Sequence, residues 1–310
     1  MCSVVVASNL RVPSLACPHR SLFDLLDLGR PVLCSATPDN PFVRLFRPAT
    51  STRLHSEACL TRSTRLTRRE RRSRRSKSTR PHTTSSSMPC PFVQRVWIAL
   101  EEKGIPYEYK EVNPYKKEPH FLKINPKGLV PALEHDNKAL YESLVLLEYL
   151  DDAFPDSAIR PRNPHELGLV RLACQQISNV VVPAFYRYVQ AQEADKQKEG
   201  HEAFVKALRE VHEQWFVVGS EWARGDKFGW VDCVLGPWVA RFTLLEKHRG
   251  FKPEDVGPEF KAWCDKLLDR PSVKATSSLP ENYENVYRRY FENTAESEVA
   301  KATRKGEWLK

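Results

Sequence analysis

From residue 89 onward, apolar and polar positions follow the periods of regular secondary structure. One face of a helix that Gly104 would end carries an apolar stripe of Val93, Val96, Trp97 and Leu100. The elements predicted after it are a strand over 107–112, a short helix over 119–123, strands over 129–134 and 139–141, and a helix from Ser143 to Phe154. This order predicts an α/β domain of roughly 70 residues.

A proline-rich linker between Pro155 and Pro164 is followed only by helical patterns. Five apolar stripes mark the helices, over 167–181, 204–215, 231–245, 260–267 and 283–290. Pro237 lies inside the third, which predicts a kink there. The second half of the chain is therefore expected to be an all-helical domain.

The N-terminal region has a different composition. Residues 61–80 hold nine arginines, one lysine and one glutamate, so their net charge of +9 equals that of the whole 310-residue chain. Residues 1–87 otherwise mix short apolar runs with Pro, Ser and Thr, which predicts a disordered extension. Alternatives for this extension are an organelle transit peptide, a nuclear-import patch, a nucleic-acid contact, or a segment that the cell does not make.

Composition also excludes several classes of protein. No apolar run reaches the roughly 18–20 residues of a membrane-spanning helix, so no membrane association is expected. The eight cysteines form no CxxC pair and no Cys/His cluster, so neither a metal site nor a dithiol motif is predicted. A reducing compartment follows, with the cytoplasm as the expected location. Mitochondrial or nuclear locations remain alternatives if the basic extension is present.

Cys90 is the candidate for chemistry. It immediately precedes the first helix, with Pro91 at a position where proline is preorganised. The unpaired N–H groups and the positive end of the helix dipole would stabilise a thiolate. The alternative is a small buried hydrophobic residue, an interpretation that suits Cys174, Cys233 and Cys264 within their apolar stretches.

Downstream motifs extend this site. Residues 90–95 read CPFVQR, residues 125–131 read NPKGLVP, and residues 141–143 read YES. Together they resemble the glutathione transferase superfamily, and most closely its omega class, over residues 88 to about 293. The resemblance implies a thioredoxin-like domain over 88–158, an all-α glutathione-transferase domain over 159–293, and a C-terminal tail over 294–310.

The resemblance also implies roles for individual residues. Cys90 would be the nucleophile that forms a mixed disulfide with glutathione. The glutathione-binding residues would be Phe92, Lys117, Val130, Pro131, Glu142 and Ser143. Among these, Val130 would pair through its backbone with the cysteinyl unit, and Pro131 would be a cis proline. Glu142 would pair with the γ-glutamyl ammonium, Ser143 would bind the γ-glutamyl carboxylate, and Lys117 would meet the glycyl carboxylate.

The implied function is that of a glutathione-dependent thiol transferase or reductase, with glutathione as co-substrate. Its second substrate would be an electrophile, a disulfide or a dehydroascorbate-like molecule, bound near aromatics such as Tyr186 and Tyr188 or near the C-terminal helix. Homodimerisation is a further expectation from the family. A glutathionyl-hydroquinone-type reductase is one alternative, and a non-enzymatic binding or regulatory module with a basic tail is another.

Two departures from the family pattern stand out. The place of the first strand holds His82 to Met88, which has no aliphatic residue before Met88. Because interior strands are rich in Val and Ile, this predicts a degenerate or missing first strand and a gap in the sheet. The second departure is Gly229, where the family often has a Ser or Thr cap. Asp232, three residues later, could still supply a capping carboxylate.

Overall fold

The structure, a computed structural model, describes residues 90–113 and 117–308. The extension predicted over 1–87 and the first-strand gap predicted over 82–88 lie outside these residues and stay predictions. Two strands are described, β1 (Ala132–His135) and β2 (Lys138–Tyr141). The helices of the first half are α1 (Pro91–Lys103), α2 (Pro119–Ile124) and α3 (Ser143–Ala153), followed by the 3₁₀ turn Pro155–Ser157.

The second half is helical, as predicted. Its helices are α4 (Pro164–Gln176), α5 (Val182–Gln190), α6 (Ala194–Trp215), α7 (Trp230–Val239), α8 (Phe242–Arg249), α9 (Pro258–Asp269), α10 (Pro271–Thr276), α11 (Pro280–Phe291) and α12 (Glu298–Arg304). A π-helical turn, Ile177–Val181, joins α4 to α5, and a 3₁₀ turn spans Pro253–Asp255. No helix in the described part of the chain is long and apolar enough to span a bilayer.

Helix α1 begins and ends where its sequence predicts. Pro91 stands at its first position, and Gly104 adopts a left-handed conformation (φ 62°) that closes its last turn. Of the predicted stripe, Val93, Val96 and Leu100 are buried, whereas Trp97 is only partly buried against the same core. This helix packs against α3 in its own half and against α7 and α10 in the helical half. One apolar core therefore runs through both halves and supports α1 from two sides.

The strands form an antiparallel hairpin in which Ala132 lies opposite Tyr141. Asp136 and Asn137 turn the chain with φ values of 50° and 60°, the signs that a two-residue type I′ turn requires. The strand predicted over 107–112 is reduced in the described residues to a bridge at Lys110. A strand is defined by its ladder of partners, and the neighbour expected for this one, residues 82–88, is outside the described range.

The third helical stripe, predicted as one kinked helix over 231–245, is two helices. Helix α7 continues through Pro237 and ends at Val239, and α8 begins at Phe242. The buried guanidinium of Arg241 lies at the break and donates a hydrogen bond to the carbonyl oxygen of Pro237. A buried cation thus interrupts an apolar stripe that continues on both sides of it.

Two further elements were not expected. The π turn at Ile177–Val181 divides the stripe predicted over 167–181. The segment 294–310, predicted only as a tail, contains α12, whose Val299 and Ala300 are buried and which packs against α5.

Candidate functional site

Cys90 lies at the N-terminal cap of α1 in extended conformation (φ −80°, ψ 120°). Its carbonyl oxygen accepts the first helical hydrogen bond, from Gln94 N at 3.1 Å, and the residue is half-buried. Cys174, Cys233 and Cys264 are buried, and burial raises the pKa of each thiol, that of Cys174 to about 12. Of the four described cysteines, only Cys90 combines access with a helix N-terminus.

Two buried arginines lie within electrostatic range of the Cys90 thiol. The guanidinium carbon of Arg95 is 4.5 Å from the centroid of the Trp238 ring. That of Arg241 is 4.8 Å from the Tyr283 ring. Burial lowers the pKa of Arg95 to about 9, so it stays a cation at neutral pH. Both charges favour a thiolate over a neutral thiol at Cys90.

Tyrosines from α5 and α11 complete these surroundings. Tyr186 and Tyr287 interact electrostatically with Cys90, and burial raises the pKa of both hydroxyls, that of Tyr287 to about 12. Tyr290 stacks on Tyr287 with ring centroids 5.2 Å apart. Tyr188, proposed from the sequence to line the same pocket, instead donates its hydroxyl proton to the Arg249 carbonyl at 2.6 Å. Tyr188 therefore supports helix packing. It does not point the same way as Tyr186, because residues two positions apart on a helix lie on different faces.

The loop 125–131 is shaped by Asn125. Its Nδ2 donates to Leu129 O at 2.7 Å, and its Oδ1 accepts from Lys127 N at 3.0 Å. Gly128 has φ 65°, and a Cβ there would lie 3.0 Å from Cδ of Lys117. The aliphatic stem of Lys117 therefore lies over Gly128, two residues before Val130. The Val130–Pro131 peptide bond is cis, as the resemblance predicted.

Glu142 and Ser143 begin α3. Glu142 has φ 74°, a conformation that non-glycine residues rarely adopt and that is enriched at functional sites. Its exposed carboxylate pairs with Lys127 Nζ at 2.9 Å. Ser143 is buried, and its hydroxyl accepts a hydrogen bond from Arg95 Nη1 at 3.3 Å. The open N-terminus of α3 and an oriented hydroxyl suit a carboxylate ligand.

Of the six predicted glutathione-binding residues, Phe92 lies in the first turn of α1, and Glu142 and Ser143 lie at the start of α3. The other three, Lys117, Val130 and Pro131, lie in or over the loop 125–131. Phe92 and Ser143 are joined through Arg95, whose guanidinium carbon is 5.3 Å from the Phe92 ring. Sequence reasoning missed Arg95 and Arg241, and it named the C-terminal helix as an alternative lining without singling out its tyrosines. An arginine within the apolar stripe of a helix was the available signal for Arg95. Among residues 90–113 and 117–308, no group of three or more His, Cys, Asp or Glu residues could hold a metal ion.

Two family models match the chain. The model "Glutathione S-transferase, N-terminal domain" covers residues 86–158, and "Glutathione S-transferase, C-terminal domain" covers 191–266. Among curated proteins, glutathione S-transferase omega-1 of Sus scrofa is 27% identical over 67% of this chain and 85% of its own length. Glutathione S-transferase U28 of Arabidopsis thaliana is 30% identical over 64% of this chain and 88% of its own length.

Solved structures give the same result. Glutathione transferase Omega 3C from Trametes versicolor is 47% identical, with a TM-score of 0.63, covering 68% of this chain and 91% of its own. Rice GST1 (OsGSTU1), solved in complex with glutathione, is 27% identical with a TM-score of 0.60, covering 66% of this chain and 95% of its own.

Proposed function

The chain belongs to the glutathione S-transferase family, with an omega-like assignment, and we propose that it is a glutathione-dependent thiol transferase with Cys90 as its nucleophile. The observation that supports this most directly is the position of Cys90. Its half-buried thiol stands at the N-terminus of α1, within electrostatic range of Arg95 and Arg241. A helix N-terminus and two cations all stabilise the thiolate, which is the nucleophilic form.

The proposed reaction is a pair of thiol–disulfide exchanges. The Cys90 thiolate attacks the glutathione sulfur of a mixed disulfide, the S–S bond breaks, and the second substrate leaves as a thiolate that takes a proton from water. Cys90 now carries glutathione as a disulfide. The thiolate of a second glutathione attacks that glutathione sulfur, glutathione disulfide leaves, and the Cys90 thiolate is restored. Glutathione supplies both electrons.

Binding of glutathione would use the backbone and charges described above. Val130 lies next to the cis proline, and its backbone would pair with the cysteinyl unit. Glu142 would exchange Lys127 for the γ-glutamyl ammonium, and Ser143 would donate to the adjacent carboxylate. Lys117, held over Gly128, would pair with the glycyl carboxylate. The aromatic surroundings of Cys90 would accept the second substrate.

The nature of that second substrate separates related activities. Reduction of dehydroascorbate or of glutathione conjugates requires the same cysteine, and a glutathionyl-hydroquinone-type reductase would bind an aromatic group. Tyr287, which lies within electrostatic range of Cys90, and Tyr290, which stacks on it, favour an aromatic or flat substrate over an aliphatic one. Assays with each class of substrate on the same preparation would rank them.

The direct test is the reactivity of Cys90. Alkylation by iodoacetamide, followed by peptide mass mapping from pH 4 to 9, gives the thiol pKa residue by residue. We expect Cys90 to titrate well below roughly 8.5, the value of a free cysteine. Incubation with glutathione disulfide should place glutathione on the Cys90 peptide, and excess glutathione should remove it.

Two substitutions serve as a matched pair. Cys90→Ser should abolish thiol transfer, whereas Cys174→Ser, which changes a buried thiol with a raised pKa, should retain it. An unshifted Cys90 pKa together with unchanged transfer by Cys90→Ser would overturn the proposal. In that case the non-enzymatic binding module would be the better interpretation.

We further propose that the protein is a homodimer. Val145 on α3 and Leu172 on α4 are large apolar side chains that are half exposed. An ion pair between Arg171 and Glu148 at 2.7 Å joins the same two helices. Light scattering should give twice the chain mass, and Leu172→Glu should give the monomer. A wild-type monomer at micromolar concentration would refute the dimer.

A further inference from the structure

Arg95 is a buried cation that no carboxylate of residues 90–113 and 117–308 neutralises. It is 1% exposed, and it forms no ion pair within those residues. Its Nε donates to Val234 O in α7 at 3.0 Å, and its Nη1 donates to Ser143 Oγ in α3 at 3.3 Å. Its Nη2 is buried without a hydrogen-bond partner. An arrangement of this kind is unfavourable for stability, since buried charges are normally paired.

The chemistry of a guanidinium determines the state of the Ser143 hydroxyl. Arginine can only donate hydrogen bonds, so Ser143 Oγ must accept the bond from Nη1. The hydroxyl proton of Ser143 is then directed to another acceptor. Because the first N–H groups of α3 also lack helical partners, the acceptor that fits this position is an anion.

We propose that Arg95 is a positioning residue that holds the Ser143 hydroxyl as a donor to the α-carboxylate of the γ-glutamyl group. It thereby makes the site selective for thiols that carry a carboxylate at that point. This inference rests on the proposed glutathione-binding function, and it adds a residue that acts through Ser143 and contacts neither the ligand nor the reacting sulfur.

The test compares two ligands that differ by one carboxylate. Glutathione has the α-carboxylate, and 4-aminobutyryl-cysteinylglycine lacks it but keeps the ammonium. Equilibrium binding is measured by calorimetry on the full chain carrying Cys90→Ser, so that no disulfide forms. We expect this chain to bind glutathione about 10- to 100-fold more tightly than the analogue, the range of one hydrogen bond to a charged group.

Adding Arg95→Met should remove most of this preference by weakening glutathione alone, with the affinity for the analogue changed less than about 3-fold. Ser143→Ala should have the same effect, and the two substitutions together should cause no further loss, because they act through one hydrogen bond. The matched control is Arg249→Met. Arg249 donates to the backbone carbonyls of Val189 and Ala191, so this change should leave the preference intact.

Three outcomes would overturn the inference. One is an equal loss for both ligands in Arg95→Met, which would indicate a purely structural role. Another is additive losses in the double variant. The third needs no substitution at Arg95: the Cys90→Ser chain binds both ligands equally well. If Arg95→Met fails to fold, the inference can still be overturned in two ways: Ser143→Ala retains the preference for glutathione, or the Cys90→Ser chain shows no preference. Failure of the thiol-transferase proposal would show instead in Cys90 reactivity, which these binding measurements do not use.

Discussion

Replacing Lys103 by Met should lower the free energy of unfolding by about 3–5 kcal/mol. Lys103 ends α1, and its Nζ lies 2.6 Å from Oδ1 of Asp151 in α3, with both side chains fully buried. The same Nζ donates to the carbonyl oxygens of Phe154 and Ser157 at 3.1 and 2.9 Å. One ammonium thus joins the helix that begins at Cys90 to the linker that leads to the helical half.

The magnitude follows from what the substitution leaves behind. Methionine retains an unbranched apolar stem, so the loss in packing is small, but the Asp151 carboxylate loses its counter-charge. That carboxylate still accepts from the backbone N–H of Arg160 and from Trp230 Nε1, both at 2.9 Å. Because these donors stabilise it in part, we expect a value near about 3 kcal/mol, the lower end for a broken buried pair.

The assay is urea unfolding of the full chain, followed by tryptophan fluorescence. The control is Lys196→Met, which removes an exposed pair with Glu199 of similar length, 2.8 Å, and should change stability far less than Lys103→Met does, because solvent screens an exposed pair. Asp151→Asn and the double variant complete a cycle in which the double change should be less destabilising than the sum of the two. A loss in Lys103→Met no larger than that of the control would refute the reasoning.

Three further predictions concern the site and its support. Burial raises the pKa of Asp232 to about 6. Between about pH 4 and pH 6 the folded chain therefore keeps this carboxyl group protonated, whereas the unfolded chain has lost the proton. The contribution of this group to stability, up to about 3 kcal/mol, is therefore present below pH 4 and is lost as pH rises through 6; unfolding midpoints for wild type and Asp232→Asn across pH 4.5–7.5 measure it. Lys127→Met should tighten glutathione binding by up to about 5-fold, because the ligand ammonium no longer competes with an exposed lysine for Glu142. Calorimetry that shows weaker binding would contradict this. Gly128→Ala should lower stability by about 1–2 kcal/mol, because φ 65° disfavours a Cβ, and should raise the KM for glutathione, because the methyl group would displace Lys117. An unchanged melting curve and KM would argue against a role of Gly128 in placing Lys117.

Residues with conformational properties of their own account for much of the secondary structure in the first half of the described chain. The bounds of α1 follow from Pro91, whose ring fixes φ, and from Gly104, which tolerates a positive φ. The turn of the hairpin follows from Asp136 and Asn137, which tolerate positive φ better than most residues. The thiolate-stabilising position of Cys90 is also a local property, since it requires only a helix that starts at the next residue.

The sequence predicts less where the backbone path or a side chain's neighbours depend on tertiary packing. A single apolar stripe over 231–245 could not show that the chain breaks at Arg241, because the break is stabilised by contacts of a buried guanidinium with Pro237 and with tyrosines of α11. Likewise, the helical period places Tyr186 and Tyr188 on different faces of α5, but only the neighbours of that helix decide which tyrosine lies near Cys90 and which bonds to Arg249.

By itself, the sequence determined the order of elements, the family and the candidate nucleophile, all of which depend on neighbouring residues or on motifs of a few positions. Tertiary structure alone decided the electrostatic surroundings of that nucleophile. The partners of Arg95 lie 48 and 139 residues away along the chain, at Ser143 and Val234. No local preference encodes a pairing over such separations. It arises because one apolar core presses α1 between α3 and α7, which leaves an arginine with a hydroxyl and a carbonyl as its hydrogen-bond acceptors.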